Sequence, residues 1–333
     1  MPEPASPATR VLLIEDDEED YHFTRQLLAE LPGTRSELTW ASDYQAGVEA
    51  SRTAQFDVCL VDYRLGADSG IDLLCQLVAA GHAMPVILLT GHDDRDIDVR
   101  AAEAGAADFL VKGEVSAPLL ERTIRYAIRA HAAERALHDS YRTTVRALAD
   151  ALELRDDQTG AHAERVTELA LCLTQRVAPE LSADPELEFG FLLHDIGKIG
   201  VPDSIVLKPA SLTVEERHQM QRHVALGQQI VAQIPFLSGL ARDVVAAHHE
   251  SYDGSGYPRG LRAEQIPLAA RIFAVVDAFD AMTNDRPYRR ALPTQTALEE
   301  IRKGAGVQFD PAIAEAFMAL VDEQNATLQL RAA

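Results

Sequence analysis

The residues with the types and spacing for chemistry cluster in the C-terminal part: His162, the pair His194-Asp195, His223, the pair His248-His249, and Asp277. A lone histidine on a helix is more often structural than a ligand. Two adjacent pairs are harder to ascribe to packing, because burying such groups is costly unless metal ions satisfy them. Imidazole and carboxylate donors without thiolate favour Fe, Mn or Zn over copper(I) or iron–sulfur sites. The donors outnumber what one ion can use. A two-metal site is therefore expected, its ions about 3.5–4 Å apart and bridged by Asp195. Such a pair lowers the pKa of a bridging water, presents hydroxide to a phosphodiester and needs no protein nucleophile. Lys198 stands four residues after His194, a spacing that predicts one shared helix face and an ammonium beside the metals. His194, Asp195 and Lys198 are thus the expected catalytic residues.

Around this set lies a Gly/Pro-rich stretch, Asp253 to Gly260. Its glycines permit a tight loop, and Tyr257 offers a base-stacking face or a hydroxyl. A rigid structural turn accounts equally well for Gly256 and Pro258. Arg286, Tyr288 and Arg289 follow Asp277, and arginine forks match phosphate and guanine edges.

A second constellation occupies the first third. Glu15, Asp16 and Asp17 follow an apolar run, Asp62 and Thr90 end two more, and Lys112 ends Phe109-Leu110-Val111. In an open α/β sheet, groups at the carboxyl ends of strands meet in one crevice. Carboxylates from two strand ends, here Asp16, Asp17 and Asp62, suit Mg²⁺, which takes few protein ligands and completes its shell with phosphate oxygens. Asp62 would be the nucleophile toward a phosphoryl group, Lys112 would offset the phosphate charge, and Thr90 would hydrogen-bond the product.

The elements that must position these groups differ between the two parts. Val11–Ile14, Val58–Val61 and Val86–Leu89 read as strands buried on both faces of a parallel sheet, with helix-like stretches between them. The pattern predicts a doubly wound α/β domain over roughly 110 residues. Beyond Pro118 the strands vanish. Ile124, Ile128, Tyr141, Val145, Leu148 and Leu152 recur at helical steps, predicting a long connecting helix able to pair in a dimer. The remainder reads as an all-α bundle. Domains are placed at 10–125, 126–150 (the signalling helix) and 151–333.

Composition narrows the partners. Acidic residues outnumber basic ones 52 to 31, a net charge of −21 with no basic run, which disfavours nucleic-acid polymers and anionic membranes. The odd set Cys59, Cys75 and Cys172 shows no disulfide or zinc-finger spacing and fits a reducing compartment. With neither a signal peptide nor a spanning apolar stretch, a cytoplasmic protein is expected.

Residues 10 to 125 resemble the receiver domain of two-component response regulators, through Ile14-Glu15-Asp16-Asp17, Val61-Asp62-Tyr63-Arg64-Leu65, Leu89-Thr90-Gly91 and Phe109-Leu110-Val111-Lys112. That resemblance implies a flavodoxin-like fold, phosphorylation of Asp62 by a histidine kinase, Mg²⁺ in the crevice, and Phe109 as the aromatic switch. Gly113 stands where the family often has proline. Residues 140 to 330 resemble the HD-GYP family through His194-Asp195-Ile196-Gly197-Lys198, His248-His249-Glu250, Gly256-Tyr257-Pro258 and Asp285-Arg286-Pro287-Tyr288. This second resemblance implies an HD-domain bundle that hydrolyses cyclic di-GMP to pGpG, and often on to GMP, at an iron or manganese centre. Carried over by position, His162, His194, Asp195, His223, His248, His249 and Asp277 are the metal ligands, and Lys198, Tyr257, Arg286 and Arg289 the substrate contacts. Some members add a third metal through a glutamate four residues before the first histidine. Here that position is Gln158, so a binuclear site of two Fe or Mn ions is expected. Two alternatives stay open from sequence: a binding module with structural metals, and a phosphodiesterase for another cyclic dinucleotide.

Overall fold

The computed structural model describes residues 8–31, 35–79, 84–91, 95–155, 162–182, 184–237, 239–285 and 290–332. They divide into two compact units, Met1–Asp139 and Ser140–Ala333.

The first unit is an α/β layer structure. Strands β1 (Thr9–Ile14), β2 (Ser36–Ala41), β3 (Val58–Asp62), β4 (Val86–Thr90) and β5 (Asp108–Val111) form one parallel sheet in the order β2-β1-β3-β4-β5. The strand period of two splits their side chains between two cores. Leu12, Ile14, Cys59, Val61 and Leu88 face one way, against helices α2 (Tyr44–Thr53), α3 (Gly70–Ala79) and α4 (Arg95–Glu103). Val11, Leu13, Leu60, Ile87 and Leu89 face the other, against α1 (Glu18–Ala29) and the start of α5 (Ala117–Arg155). Burial on both faces explains the unbroken apolar runs. The topology brings Asp62, Thr90 and the residues just beyond β1 and β5 to one edge of the sheet.

Helix α5 is continuous over 39 residues and has Pro118 in its first turn, where a missing N–H costs nothing. The apolar series expected to form a pairing stripe is divided between two cores. Ile124 packs in the α/β core and Val145 in the helical one, leaving Tyr126, Leu137, Leu148 and Leu154 as exposed large apolar side chains.

The second unit is all-α. Helices α6 (His162–Val177), α7 (Pro185–Leu192), α8 (Val214–Val231), α9 (Gly239–Ala247), α10 (Leu268–Thr283), α11 (Thr294–Gly304) and α12 (Pro311–Ala332) carry it, with short turns between. Val166, Ala170, Phe191, Phe273 and Phe317 form its main core, in which the Phe191 and Phe273 rings stack 5.1 Å apart. Helix α10 is apolar on most sides and runs through this core, so the few polar side chains it carries stand out. Among the described residues, no helix is long and apolar enough to cross a membrane.

One sequence expectation fails here. His194 and Lys198 do not share an α-helix: α7 ends at Leu192, His194 and Asp195 sit in a turn, and Ile196–Gly200 is a 3₁₀ turn. The cause is close packing. A β-carbon at Gly197 would collide with the carbonyl of His223 on α8, so the chain there lies directly on that helix's backbone.

A candidate binuclear metal centre

Five separate segments deliver the donors. His162 opens α6, His194 and Asp195 follow α7, His223 sits within α8, His248 and His249 follow α9, and Asp277 lies on α10. They fall into two groups, Asp195/His223/His248/His249 and His162/His194/Asp277, each with donor atoms within 4.8 Å of one another. Asp195 joins the groups. Its Oδ2 lies 3.2 Å from Nε2 of His194, and its Oδ1 lies 3.3 Å from Nε2 of His223 and 3.9 Å from Nε2 of His248. One carboxylate oxygen thus faces each set.

Ring orientation decides whether these histidines fit a metal. The Nδ1 of His194 faces the carbonyl of Phe191 at 2.9 Å, that of His223 faces Met220 O at 2.8 Å, and that of His248 faces Val244 O at 3.2 Å. Nδ1 of His162 lies 2.6 Å from Oδ2 of Asp280. An acceptor at Nδ1 places the proton there and leaves Nε2 as a lone pair, the arrangement found in metal-ligating histidines. Those Nε2 atoms converge: His223 and His248 bring theirs to 3.4 Å. Among the described residues, Oδ1 of Asp195 is buried without a hydrogen-bond partner. A buried carboxylate oxygen left bare beside inward-facing imidazole nitrogens is the environment a cation completes. The all-N/O donor set fits iron, manganese or zinc.

The electrostatics agree. Burial holds His248 well below the usual histidine range and pushes His249 down to about 4, with neighbouring histidine charge adding to both. Burial also lowers His223, against the pull of Asp195. For His194, burial is outweighed by the Asp195 carboxylate, and its pKa rises. Asp195 is held well below the usual carboxylate range; burial opposes this, but Lys198 and His194 prevail. Lys198 Nζ lies 2.9 Å from Asp195 Oδ2, an i,i+3 contact that the 3₁₀ turn provides. Lys198 and Asp195 are therefore neighbours through this turn rather than through a helix face that Lys198 shares with His194.

The glycine-tyrosine-proline loop is built against this site. Glu250, buried at the end of the His248-His249-Glu250 run, accepts hydrogen bonds from the N–H groups of Arg259 (2.8 Å) and Leu261 (2.9 Å). Tyr257 N–H donates to His249 O at 3.1 Å, and its ring lies 4.8 Å from the His249 ring. Gly256 is required by sterics, since a β-carbon would overlap Ser251 N and approach Glu250 Cα to 2.6 Å. Arg286, Arg289 and Gln158 lie outside the described residues.

Two residues the sequence did not single out support the cage. Asp280 accepts from Arg165 Nε (2.9 Å) and Asn284 Nδ2 (2.8 Å) while holding His162. It sits one turn after Asp277 on α10, and that i,i+3 pairing of carboxylates in an apolar helix was the available signal. Glu250 stood inside a recognised motif, but only the loop's fold reveals its work.

In the receiver unit, Glu15, Asp16 and Asp62 bring their oxygens within 4.8 Å. Asp17 instead caps α1, accepting from the N–H groups of Glu19 and Asp20. Glu15 therefore takes the place that the sequence reading gave to Asp17. Lys112 Nζ reaches Glu15 (2.7 Å), Asp20 (2.6 Å) and Asp62 (3.1 Å). Burial, reinforced by Asp62 against the opposing Lys112, pushes Glu15 up to about 7. Burial also raises Asp62, with Lys112 opposing it. Lys112 is raised despite burial, because Asp20 and Glu15 hold its charged form. Thr90 is buried at the end of β4.

Comparison with known proteins matches this two-part design. A response regulator receiver domain family matches residues 11–124, and an HD domain family matches residues 146–313. A "Cyclic di-GMP phosphodiesterase" of Thermotoga maritima is 35% identical over 349 residues, covering 94% of this chain and 90% of its own. The "Cyclic di-GMP phosphodiesterase response regulator RpfG" of Xanthomonas campestris is 34% identical over 283 residues, covering 79% of this chain and 75% of its own. A "3'3'-cGAMP-specific phosphodiesterase 2" of Vibrio cholerae is 35% identical over 188 residues, covering 56% of this chain and 36% of its own. A receiver fold, an HD cage with its motifs in place, and relatives matched along nearly the whole chain lead to one conclusion: the chain belongs to the HD-GYP response regulators, in which a receiver domain precedes an HD-type phosphodiesterase domain.

Proposed function

We propose that the chain hydrolyses cyclic di-GMP to pGpG at a binuclear iron or manganese centre in the HD domain, under control of phosphorylation at Asp62. The observation that carries this reading is Asp195, which turns one oxygen toward each donor group. His162, His194 and Asp277 would hold one ion, His223, His248 and His249 the other, and Asp195 would bridge them. Bound metals of this kind supply an activated water and Lewis acidity toward the phosphodiester. The protein's own work is positional. Backbone carbonyls and Asp280 lock the imidazole tautomers, so the nitrogens need no reorganisation on loading. Lys198 offers an ammonium at the mouth of the bridge, where it can meet a non-bridging phosphate oxygen. Tyr257, fixed by the Glu250 anchor, presents a ring for base stacking, and Arg286 and Arg289 are the proposed phosphate and guanine contacts.

In the receiver, Glu15, Asp16 and Asp62 are the proposed Mg²⁺ site, and Asp62 the acceptor of a phosphoryl group from a histidine kinase. Lys112 would neutralise the incoming charge, and Thr90 would hydrogen-bond it. The proposed setting is the cytoplasm, which suits three free cysteines and a net charge of −21. The proposed assembly is a homodimer.

The test is turnover of cyclic di-GMP by purified protein loaded with Mn²⁺ or Fe²⁺ under anaerobic conditions, beside Asp195→Ala. Turnover lost in the variant is expected, with pGpG accumulating because Gln158 is a poor third-metal ligand. Absence of turnover in fully metallated protein overturns the reading. Similarity to the 3'3'-cGAMP-specific relative favours a second substrate class, so the same assay includes the hybrid cyclic dinucleotide; faster hydrolysis of that compound would reassign the substrate.

A further inference from the structure

The last turn of α5 contacts the supports of both donor groups. Glu153 is 6% exposed and accepts a hydrogen bond from the backbone N–H of Ala163, the residue after His162. The first N–H groups of a helix have no acceptor within it; here one is supplied by another helix. Two residues on, Arg155 grips the 3₁₀ turn. Its Nη1 donates to Lys198 O at 2.7 Å and its Nη2 to Val201 O at 2.6 Å, while Nε and Nη2 reach Asp203 Oδ1 at 2.9 and 2.6 Å. Lys198 is the residue whose ammonium lies 2.9 Å from the bridging Asp195.

Anchorage alone does not account for these contacts. Val145 and Ala149 of α5 are already buried against Ala163, Leu192 and Ile196, which docks the helix through apolar area. Hydrogen bonds to specific backbone atoms add something else: they tie the rotation and axial position of the helix end to two particular segments. Nor is Glu153 among the grouped donors of either metal set.

We propose that Glu153 and Arg155 are positioning residues for the phosphodiesterase site, Glu153 setting the first turn of α6 and so His162, Arg155 setting the 3₁₀ turn and so Lys198. The proposal rests on the functional reading above and deepens it. Because α5 is one unbroken helix from Ala117, an axial shift of one residue rise, about 1.5 Å, would break both sets of hydrogen bonds. Arginine is suited to the task, since its rigid fork serves several acceptors that one ammonium cannot reach together.

The experiment uses the full chain and four variants, Glu153→Ala, Glu153→Gln, Arg155→Ala and Arg155→Lys. Mn²⁺ affinity is measured by calorimetry on the metal-stripped protein, and kcat and KM for cyclic di-GMP on the loaded protein. Glu153→Ala is expected to weaken Mn²⁺ binding about tenfold, and Glu153→Gln, whose amide oxygen still accepts from Ala163, to restore most of it. Arg155→Ala is expected to leave Mn²⁺ binding in place and to lower kcat about tenfold or more, with KM little moved, because Lys198 is misplaced rather than removed. Arg155→Lys recovers part of the loss. A Glu153→Gln as damaged as Glu153→Ala makes the charge itself essential and overturns the Glu153 role. An Arg155→Ala enzyme with the parent kcat overturns the other. If the parent turns over no cyclic dinucleotide, the functional reading falls, and the Mn²⁺ affinities of the Glu153 pair still decide this proposal.

Discussion

Removing the Asp280 carboxylate isolates what an outer group contributes to this cage. Asp280 accepts from His162 Nδ1 at 2.6 Å, Arg165 Nε at 2.9 Å and Nη2 at 3.2 Å, and Asn284 Nδ2 at 2.8 Å. Burial opposes its ionisation, but His162 and Arg165 hold it below the usual carboxylate range, so it is an anion at neutral pH. In Asp280→Ala these partners fare differently. Arg165, with 39% of its side chain exposed, returns to water, so its loss is small, roughly 0–1 kcal/mol. Asn284 keeps its 3.0 Å bond to the Asp280 carbonyl. His162 is buried, and an unsatisfied Nδ1–H costs about 1–3 kcal/mol. Together these predict about 1–4 kcal/mol of lost stability in the metal-free chain. A freed imidazole can also take the other tautomer or rotate. Losing such a partner typically weakens a metal site 10–100-fold, about 1.4–2.8 kcal/mol. Asp280→Asn keeps an acceptor of the same shape and should fall at the low end. Calorimetric titration of Mn²⁺ into stripped protein would show one binding event weakened and the other preserved, since only the group containing His162 is affected. An unchanged isotherm for Asp280→Ala, alongside a site lost in His162→Ala, would refute the reasoning.

Three further outcomes follow from the same geometry. Gly256→Ala places a β-carbon on the backbone of Ser251 and Glu250, which cannot yield as a side chain would; a cost of about 1–3 kcal/mol is expected, read as a Tm lowered by several degrees. Asp62→Asn should abolish phosphoryl transfer from acetyl phosphate and any change in phosphodiesterase rate that the donor produces; a persisting response would place control elsewhere. The third concerns pH. Glu15 titrates at about 7 rather than 4.5. A raised carboxylate pKa means the fold favours the neutral form, so the stabilising contribution is complete at low pH and lost as pH rises through about 7. Mg²⁺ competes with that proton, so its affinity should rise over the same interval. Trp40, the chain's single tryptophan, donates to Glu15 O at 2.8 Å and stacks on Tyr21, which makes its fluorescence the natural probe. A Mg²⁺ titration that does not change across that interval would contradict the assignment.

The parts of this structure legible in the sequence are those encoded by type and period. Buried-strand runs specified the doubly wound sheet, because only parallel strands covered on both faces need unbroken apolar residues. Histidine and aspartate pairs marked the cage, because no other use of so many such groups is cheap to bury. What escaped was set by backbone geometry. Asp17 and Glu15 are both acidic residues after β1, and their roles depend on where α1 begins: the residue whose oxygen meets the free N–H groups of Glu19 and Asp20 becomes the cap, leaving its neighbour for the crevice. His194 to Lys198 has helical spacing, yet packing of Gly197 onto α8 tightens the segment into a 3₁₀ turn.

Asp280 and Glu250 share one physical reason for being overlooked. Each acts on something absent from its own sequence neighbourhood: Asp280 on an imidazole from another helix, Glu250 on backbone N–H groups nine and eleven residues away. Their types alone do not announce these roles, since carboxylates are seldom fully buried unless paired. Burial is thus the discriminating observation, available only from the fold. The same logic separates the ligands from their supports. A candidate ligand must carry a donor such as imidazole or carboxylate whatever surrounds it, so composition betrays it. A support need only place an acceptor where an N–H points, and several side chains, or a main-chain carbonyl such as those of Phe191, Met220 and Val244, can do that. Sequence therefore reads the chemistry of this site more readily than its alignment.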